Sequence, residues 1–273
     1  MPTLAERWKY RTALVTGASS GLGLAFARML RAEGLEVWGT SRTVARIPAR
    51  EGFHPVALDL CEEKSIHAAV AQVRREAGTL DVLVNNAGAG VFAGFAHFPE
   101  EAVAAQLRLM LEGPLQLARA FWPEMLARKR GALVNVASLA AEFPLPGLSV
   151  YTAAKAGLAG FSKALMLEAA GRGVQVLDFQ PGDFKTDFNR AAQRPDGGEA
   201  WETRAWERFE KLLDEGPAPE RAAADLRAAL LKGRSGTVAT GVFFQACAGP
   251  AAQRVLGGRV TRWFLRKYYR LDK

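Results

Sequence analysis

Two side chains of opposite acid–base character lie four residues apart in the stretch VYTAAKAGLAGF, residues 150–161. Because positions i and i+4 share one face of a helix, Tyr151 and Lys155 are expected to lie side by side. A phenol has a pKa of about 10, and a neighbouring ammonium stabilises its phenolate, so such a pair can exchange protons near neutral pH. Taken alone, however, the pair more often means a packed tyrosine beside a lysine that reaches solvent. Its meaning therefore depends on the elements that position it.

Short β-rich runs alternate with longer Ala- and Leu-rich helical runs along the chain. Strands are predicted at 12–17, 36–41, 54–60, 81–88, 132–138, 174–182 and 237–246, and helices at 22–33, 62–77, 99–111, 115–129, 149–171 and 201–215. The strands are continuous apolar runs, which is typical of parallel strands that are buried on both faces. Helices between such strands imply right-handed βαβ units. The sequence therefore predicts an α/β fold with an open, doubly wound sheet in one domain.

A glycine-rich turn follows the first predicted strand. Residues 16–23 read TGASSGLG and lie directly before a helix. Glycines allow a sharp turn and let a pyrophosphate approach the backbone, while the helix N-terminus offers free N–H groups to the phosphates. An ordinary glycine turn is the alternative, but the strand–glycine–helix context favours a dinucleotide site.

Polar residues also follow the other predicted strands. Ser41 and Arg42 stand where an acidic residue usually holds the ribose 2′-hydroxyl of NAD, and a guanidinium suits a 2′-phosphate instead. The sequence therefore predicts a preference for NADP(H), with NAD(H) and a merely solvated arginine as alternatives. Asp59 can accept a hydrogen bond from the adenine amino group, and Asn86 can pack on a cofactor or fix its own loop.

These motifs together resemble those of the short-chain dehydrogenases/reductases. TGASSGLG, NNAG, Ser138 with Tyr151 and Lys155, and PGDFKT occur in that family's order and spacing over about residues 9–190. The resemblance implies a Rossmann-type fold over 1–273 and the interconversion of a carbonyl and a secondary alcohol. It further implies that Tyr151 is the general acid/base, that Lys155 lowers the pKa of Tyr151 and binds the nicotinamide ribose, and that Ser138 donates to the substrate oxygen.

The cofactor contacts that this resemblance and the strand ends imply form one set, which includes Thr186 as the residue that holds the carboxamide. The set is Gly17, Ser19, Ser20, Gly21, Leu22, Gly23, Ser41, Arg42, Asp59, Leu60, Asn86, Ala87, Gly88, Tyr151, Lys155, Pro181, Gly182, Phe184 and Thr186. No metal site is expected.

One position departs from the family. The stretch LRLMLEGPLQLA places Met110 where the family often has an asparagine that helps to hold a proton-relay water. A thioether is a weak acceptor and cannot donate. An active enzyme is still favoured, because Ser138, Tyr151 and Lys155 are intact. The alternative is an NADP(H)-binding sensor of the same fold with weak or no catalysis.

Substrate specificity is expected to reside in the region 184–215, which is treated as a substrate lid. Its aromatic residues, with Phe92, Phe95, Phe143 and Leu145 as candidate cavity walls, favour a hydrophobic carbonyl or alcohol.

The basic C-terminal extension, residues 250–273, carries one apolar residue every four positions. Leu256, Val260, Phe264 and Tyr268 form this stripe. A helix that covers the core is favoured; a border of the substrate cavity and peripheral contact with an anionic membrane are the alternatives.

Composition limits the kinds of partner and the cellular compartment that are expected for the chain. The chain has 273 residues, 49% of them apolar, and a net charge of +8, which suits anionic partners. It shows no nucleic-acid motif, no apolar run long enough to span a membrane, and two cysteines, Cys61 and Cys247, without metal or disulfide spacing. A cytoplasmic protein is expected, and the family resemblance implies a homodimer or homotetramer paired through the helices near 99–129 and 149–171.

Overall fold

A seven-stranded parallel sheet forms the centre of the molecule. The computed structural model describes residues 2–47, 52–188, 192–194, 198–242 and 258–271. The strands are β1 Thr12–Val15, β2 Glu36–Ser41, β3 Phe53–Ala57, β4 Val82–Asn85, β5 Gly131–Val136, β6 Val174–Pro181 and β7 Gly236–Thr240. They lie in the order β3-β2-β1-β4-β5-β6-β7, and every pairing is parallel. Strands β1, β4, β5 and β6 are buried along their whole length, which explains their unbroken apolar sequences.

Helices cover both faces of this sheet. They are α1 Leu4–Trp8, α2 Gly21–Ala32, α3 Glu63–Ala77, α4 Glu100–Leu107, α5 Gly113–Arg128, α6 Ser149–Glu168, α7 Ala200–Asp214, α8 Pro219–Lys232 and α9 Gly258–Tyr268. Helices α1, α2 and α8 pack on one face, where Phe26 and Leu226 share a core cluster. Helices α3, α5 and α6 pack on the other face, where Val70, Phe121 and Leu165 do the same. The predicted doubly wound, Rossmann-type α/β fold is confirmed.

Several elements differ from the prediction, and helix α1 was not expected at all. Helix α8 was not predicted, although Pro219 at its first turn and Gly233 in the left-handed region after it, with φ of 65°, are start and stop signals. The two helices expected near 99–129 are joined without a break by a π-helical turn, Arg108–Glu112. Strand β7 ends at Thr240, and the predicted continuation through 243–246 lies outside the described residues.

The strand order changes direction between β1 and β4. The connections from β1 and β4 leave toward opposite faces there, so a crevice opens at the carboxyl ends of these two strands. The predicted site residues follow β1, β2, β3, β4, β5 and β6, so this topology brings them to one edge of the sheet.

Candidate active site

The glycine turn after β1 is locked to the turn after β4. The Thr16 hydroxyl accepts hydrogen bonds from the backbone N–H groups of Asn86 and Ala87 at 2.8 and 2.9 Å. The Asn86 side-chain amide donates to the Thr16 carbonyl at 2.9 Å. Of the two roles considered for Asn86, the structure therefore shows loop fixing.

Close packing explains why the turn needs glycines. A Cβ added at Gly23 would lie 2.2 Å from the Gly17 carbonyl oxygen and 2.5 Å from the Asn86 amide nitrogen. Gly17 itself adopts a φ of +68°, in the region that favours glycine. Helix α2 therefore begins directly against the turn. Its N-cap residue, Ser20, makes no side-chain capping bond, so the first N–H groups of α2 are open to an anion. This cradle fits a dinucleotide pyrophosphate.

The residues expected near the adenosine half partly hold their own turns. The Ser41 hydroxyl accepts from the Thr43 N–H at 3.2 Å, and the Asp59 carboxylate accepts from the Cys61 N–H at 2.9 Å. Arg42 is exposed. Burial, and then Asp59, raise the pKa of the Cys61 thiol, while the positive charges of Arg42 and Arg108 oppose that rise. The positive charge of Arg42 is therefore felt at Cys61 in the turn after β3, beside the predicted adenosine site.

Ser138, Tyr151 and Lys155 meet at the carboxyl end of β5. Ser138 begins a short 3-10 turn and accepts from the Ala140 N–H at 3.1 Å. The Lys155 ammonium donates to the Val136 carbonyl at 2.7 Å and lies 5.7 Å from the centroid of the Tyr151 ring. The i, i+4 spacing thus places the phenol and the ammonium on one face of α6.

A buried hydrogen-bond chain holds α6 against the sheet. The Asn85 amide donates to the Asn135 side-chain oxygen at 2.9 Å, and the Asn135 amide donates to the Ser162 hydroxyl at 2.9 Å. Ser162 lies on α6, two turns beyond Lys155. Because buried polar groups are costly to leave unpaired, this chain fixes the register of α6 relative to β4 and β5.

Burial acts against charge on both members of the pair. It raises the pKa of Tyr151 to about 12, although the hydrogen bond with Ser138 opposes the rise and the Asp183 carboxylate adds to it. It lowers the pKa of Lys155 to about 8. Lys155 is therefore still mostly a cation at pH 7, whereas Tyr151 is protonated.

An apolar cavity of about 160 Å³ opens beside Tyr151; we refer to it as the Tyr151 cavity. Its walls come from the glycine turn, the segments after β5 and β6, α7 and the C-terminal helix. They are Leu22, Ser138, Leu139, Ala140, Phe143, Leu145, Tyr151, Pro181, Gly182, Asp183, Phe184, Thr186, Phe188, Phe209, Leu213, Phe264, Leu265, Tyr268 and Tyr269.

The walls confirm some of the predicted residues and correct others. Phe143 and Leu145 line the cavity, as expected. Phe92 does not line the cavity but packs behind its wall, in a cluster with Phe209 and Leu213, and its ring centroid lies 5.0 Å from that of Trp206. Phe95 is 69% exposed. The prediction that Phe92 and Phe95 form the cavity wall is therefore wrong.

The lid region is fastened to the body of the protein through Glu202 on α7. Its carboxylate accepts from the N–H groups of Gly94 and Glu199 at 2.8 and 3.0 Å and lies 3.2 Å from the His97 ring nitrogen. Burial raises the pKa of Glu202, but these hydrogen bonds outweigh it and lower the pKa overall. The ionised carboxylate therefore ties α7 to the segment 94–97.

Comparison with known proteins shows which family has this fold and these motifs. A family model described as short chain dehydrogenase matches residues 11–197. The chain is 35% identical over 175 residues to a 3-ketodihydrosphingosine reductase of Bacteroides thetaiotaomicron, an alignment that covers 64% of each protein. A short-chain dehydrogenase from Streptomyces avermitilis superposes with a TM-score of 0.80 at 30% identity, over 93% of this chain and 96% of that one. A metagenomic short-chain oxidoreductase in complex with NADP superposes with a TM-score of 0.66 at 28% identity, over 84% of this chain and 96% of that one.

The chain belongs to the short-chain dehydrogenase/reductase family. The predicted family and enzyme class, an oxidoreductase, are confirmed. Among the described residues, no helix combines the length and the apolar character needed to cross a bilayer.

Met110 is the residue predicted to depart from the family pattern, and the structure places it near Lys155. The buried thioether sulfur lies 3.4 Å from the position that a Cβ on Gly88 would occupy, and the Lys155 ammonium lies 3.7 Å from the same point. Met110 lies within the π-helical turn 108–112 and is its buried residue. The structure therefore places Met110 close to Lys155, and its correspondence to an asparagine of the family stays a prediction.

The C-terminal helix contributes cavity walls that the family motifs do not reveal. Phe264, Leu265 and Tyr268 on α9, and Tyr269 after it, all line the Tyr151 cavity, yet they lie beyond the region that the family model matches. Of the roles considered for the extension, the structure supports the border of the cavity, whereas cover for the core was favoured. The aromatic spacing of Phe264 and Tyr268 was the available signal.

Proposed function

We propose that the protein interconverts a carbonyl and a secondary alcohol on a hydrophobic small molecule, with NADP(H) as the redox partner. One observation carries the proposal: Ser138 and Tyr151, with Lys155 behind them, stand at the wall of an apolar cavity that also reaches Leu22 of the glycine turn.

In carbonyl reduction, the Tyr151 hydroxyl gives its proton to the substrate oxygen. Ser138 donates a hydrogen bond to the same oxygen and stabilises the charge that develops there. A nicotinamide cofactor bound beside Tyr151 would supply the hydride in reduction and accept it in oxidation. Lys155 stabilises the Tyr151 phenolate that remains, and its ammonium also suits the nicotinamide ribose. In alcohol oxidation the phenolate of Tyr151 takes the proton back.

The glycine turn and the start of α2 would hold the pyrophosphate of the cofactor, and Thr186 would hold its carboxamide. Thr186 already lies against the turn, since its Cβ is 3.3 Å from the position of a Cβ added at Gly21. The proposed preference for NADP(H) is supported by the exposed Arg42 beside Ser41, where NAD-binding folds usually carry a carboxylate. The NADP bound to the metagenomic relative is consistent with this preference.

The proposed substrate class follows from the cavity walls. Phe143, Phe184, Phe188 and Phe209 surround the reacting hydroxyls, so an apolar group beside the carbonyl would be buried against aromatic rings. The 3-ketodihydrosphingosine reductase that resembles this chain is named for a ketone substrate.

The test is NADPH oxidation with a panel of hydrophobic ketones and of sugars, for the native chain and Tyr151→Phe. We expect turnover of hydrophobic ketones, and a loss of at least about 100-fold in kcat for Tyr151→Phe with NADPH affinity retained. Tyr10→Phe removes a phenol hydroxyl from the core cluster, away from the cavity, and serves as the matched control.

The alternative, an NADP(H) sensor, is favoured by Met110 alone. A native chain that binds NADPH tightly but turns over no carbonyl would support the sensor and contradict the proposal. A clear preference for sugars would contradict the hydrophobic substrate class. Homo-oligomeric assembly through the helices near 99–129 and 149–171 and a cytoplasmic location stay predictions.

A further inference from the structure

Helix α9 presents a stripe of large apolar side chains on its outer side. Val260, Trp263 and Phe264 follow i, i+3, i+4 spacing and are 46%, 61% and 40% exposed. They are three of the seven large apolar side chains that are exposed in the described part of the chain, and all three fall in one helix of 11 residues. Trp263 is also the one exposed residue among the six tryptophans, all of which are described. Exposed aromatic stripes of this kind mark contact surfaces.

Basic residues flank the stripe. Arg259, Arg262, Arg266, Lys267 and Arg270 fall within residues 258–271, which contain no acidic residue. This segment thus carries five positive charges, against a net charge of +8 for the whole chain. Arg259 and Arg266 lie one turn before and one turn after Trp263, so the guanidinium groups border the apolar stripe on the same helix surface.

The opposite side of α9 is already used by the protein. Leu265 and Tyr268 line the Tyr151 cavity, and Phe264, at the inner edge of the stripe, also reaches it. The guanidinium of Arg208 on α7 stacks 4.9 Å from the Tyr268 ring centroid, and Arg204 donates to the Arg270 carbonyl at 3.2 Å. The outer stripe can therefore engage a partner while the inner side keeps its contacts with the cavity and α7.

We propose that α9 docks the protein on the surface of an anionic lipid bilayer. A helix with aromatic and aliphatic side chains on one stripe and arginines beside it lies in the plane of the membrane interface, with its apolar stripe at the headgroup boundary. The phosphates of anionic lipids complement the five positive charges. A second copy of the chain is the weaker occupant, because a two-fold contact would bring two such basic helices together.

Docking in this way places a wall of the Tyr151 cavity at the lipid interface. Carbonyl compounds dissolved in the bilayer are then the substrate class with direct access to Tyr151. This second step rests on the proposed function, whereas docking itself does not.

The docking test uses the full native chain with vesicles of phosphatidylcholine alone and vesicles that also contain phosphatidylserine. We expect co-sedimentation with the anionic vesicles, little with the neutral ones, and release at about 1 M salt, where charges are screened within a few ångströms. The fluorescence of Trp263, read as the difference between the native chain and Trp263→Ser, should shift to the blue on binding. Equal binding to both vesicle types, or no binding, would overturn the proposal.

Variants distinguish binding through α9 from a general effect of apolar or basic residues on the protein surface. Trp263→Ser should weaken vesicle binding at least about tenfold, and Arg259→Gln about fivefold, the equivalent of about 1 kcal/mol for one basic residue at an anionic surface. The controls make matched changes outside α9: Leu167→Ser removes an apolar side chain that is 81% exposed on α6, and Arg172→Gln removes an exposed arginine. Controls that weaken binding as much as the α9 variants would contradict docking through α9. A dimer that dissociates in Trp263→Ser, without vesicle binding, would assign the stripe to a second copy instead.

The substrate step has its own readout. NADPH oxidation is measured with a long-chain ketone in anionic vesicles, and with a short water-soluble ketone, for the native chain and Trp263→Ser. A native advantage of at least about tenfold in kcat/KM that is confined to the vesicle-borne ketone is expected. Equal rates for the two proteins would overturn the substrate step. If no ketone is turned over but anionic vesicles are bound, the proposed function fails and docking stands.

Discussion

Replacing Lys155 by methionine tests how the charge beside Tyr151 supports proton transfer. The ammonium lies 5.7 Å from the Tyr151 ring centroid. At that separation and an effective dielectric constant of about 20, a cation stabilises a phenolate by roughly 3 kcal/mol, or about two orders of magnitude in phenolate population. Burial already raises the pKa of Tyr151 to about 12, so without the cation the reactive base is scarcer still. Lys155→Met should therefore lower kcat for alcohol oxidation about 100-fold at pH 7.

The pH dependence gives the sharper test. Burial lowers the pKa of Lys155 to about 8, so the ammonium is present below that pH and is lost as the pH rises through it. The difference between the native chain and Lys155→Met should accordingly narrow above about pH 8. The assay is NADP⁺ reduction with a secondary alcohol at saturating cofactor, so that lost ribose contacts affect KM for NADP⁺ rather than kcat.

The matched control is Lys163→Met, which makes the same change two turns further along α6. Lys163 is half exposed and pairs with Glu142 at 3.0 Å, and such surface pairs contribute little. It should leave kcat within about twofold of the native value. The reasoning would be refuted if the Lys155→Met deficit stayed constant from neutral pH to well above 8, or if Lys163→Met produced a deficit of the same size.

Three further substitutions address the cofactor cradle, cofactor choice and the proton relay. Gly23→Ala forces a Cβ to within 2.2 Å of the Gly17 carbonyl oxygen, so it should cost about 1–3 kcal/mol in urea unfolding and weaken NADPH binding in a fluorescence titration; native values for both would contradict the close packing. Arg42→Asp should lower the ratio of kcat/KM for NADPH over NADH at least about tenfold, and an unchanged ratio would count against a 2′-phosphate contact. Met110→Asn should raise kcat up to about tenfold, the value of one hydrogen bond of about 1.4 kcal/mol, by holding a water near Lys155; an unchanged or lower kcat would place the relay elsewhere.

The sheet and the meeting of Ser138, Tyr151 and Lys155 were predictable because they depend on short-range patterns. Unbroken apolar runs specify buried parallel strands, and in a parallel sheet the carboxyl ends of all strands lie at the same edge. The i, i+4 spacing then fixes the phenol and the ammonium on one helix face. Helix α8 was missed although Pro219 and Gly233 mark its ends, so there the signal was present and unused.

The individual roles of polar side chains at the strand ends were less predictable. Asp59 and Asn86 carry groups that suit a cofactor, yet in the structure both make hydrogen bonds to the backbone of the turns around them. A side chain that can bind a ligand can also hold the loop that binds it, and residue type does not distinguish the two. The fate of Phe92 likewise depends on where Trp206 packs, a contact between residues more than 100 positions apart.

The C-terminal stripe shows why periodicity alone could not tell which way α9 faces. A residue every four positions does not stay on one side of an α-helix, because four residues turn it by about 400°, which is about 40° more than a full turn. The stripe Val260, Phe264, Tyr268 therefore winds around α9: Val260 faces outward, Phe264 is 40% exposed at the edge of the cavity, and Tyr268 lies inward, beneath the Arg208 guanidinium. Leu256, the first member, lies outside the described residues. The single apolar face expected from the sequence is thus divided between the Tyr151 cavity and the outer surface. Because the outer part is joined by Trp263 and bordered by arginines, the same winding that lines the cavity leaves an apolar and basic surface beside it.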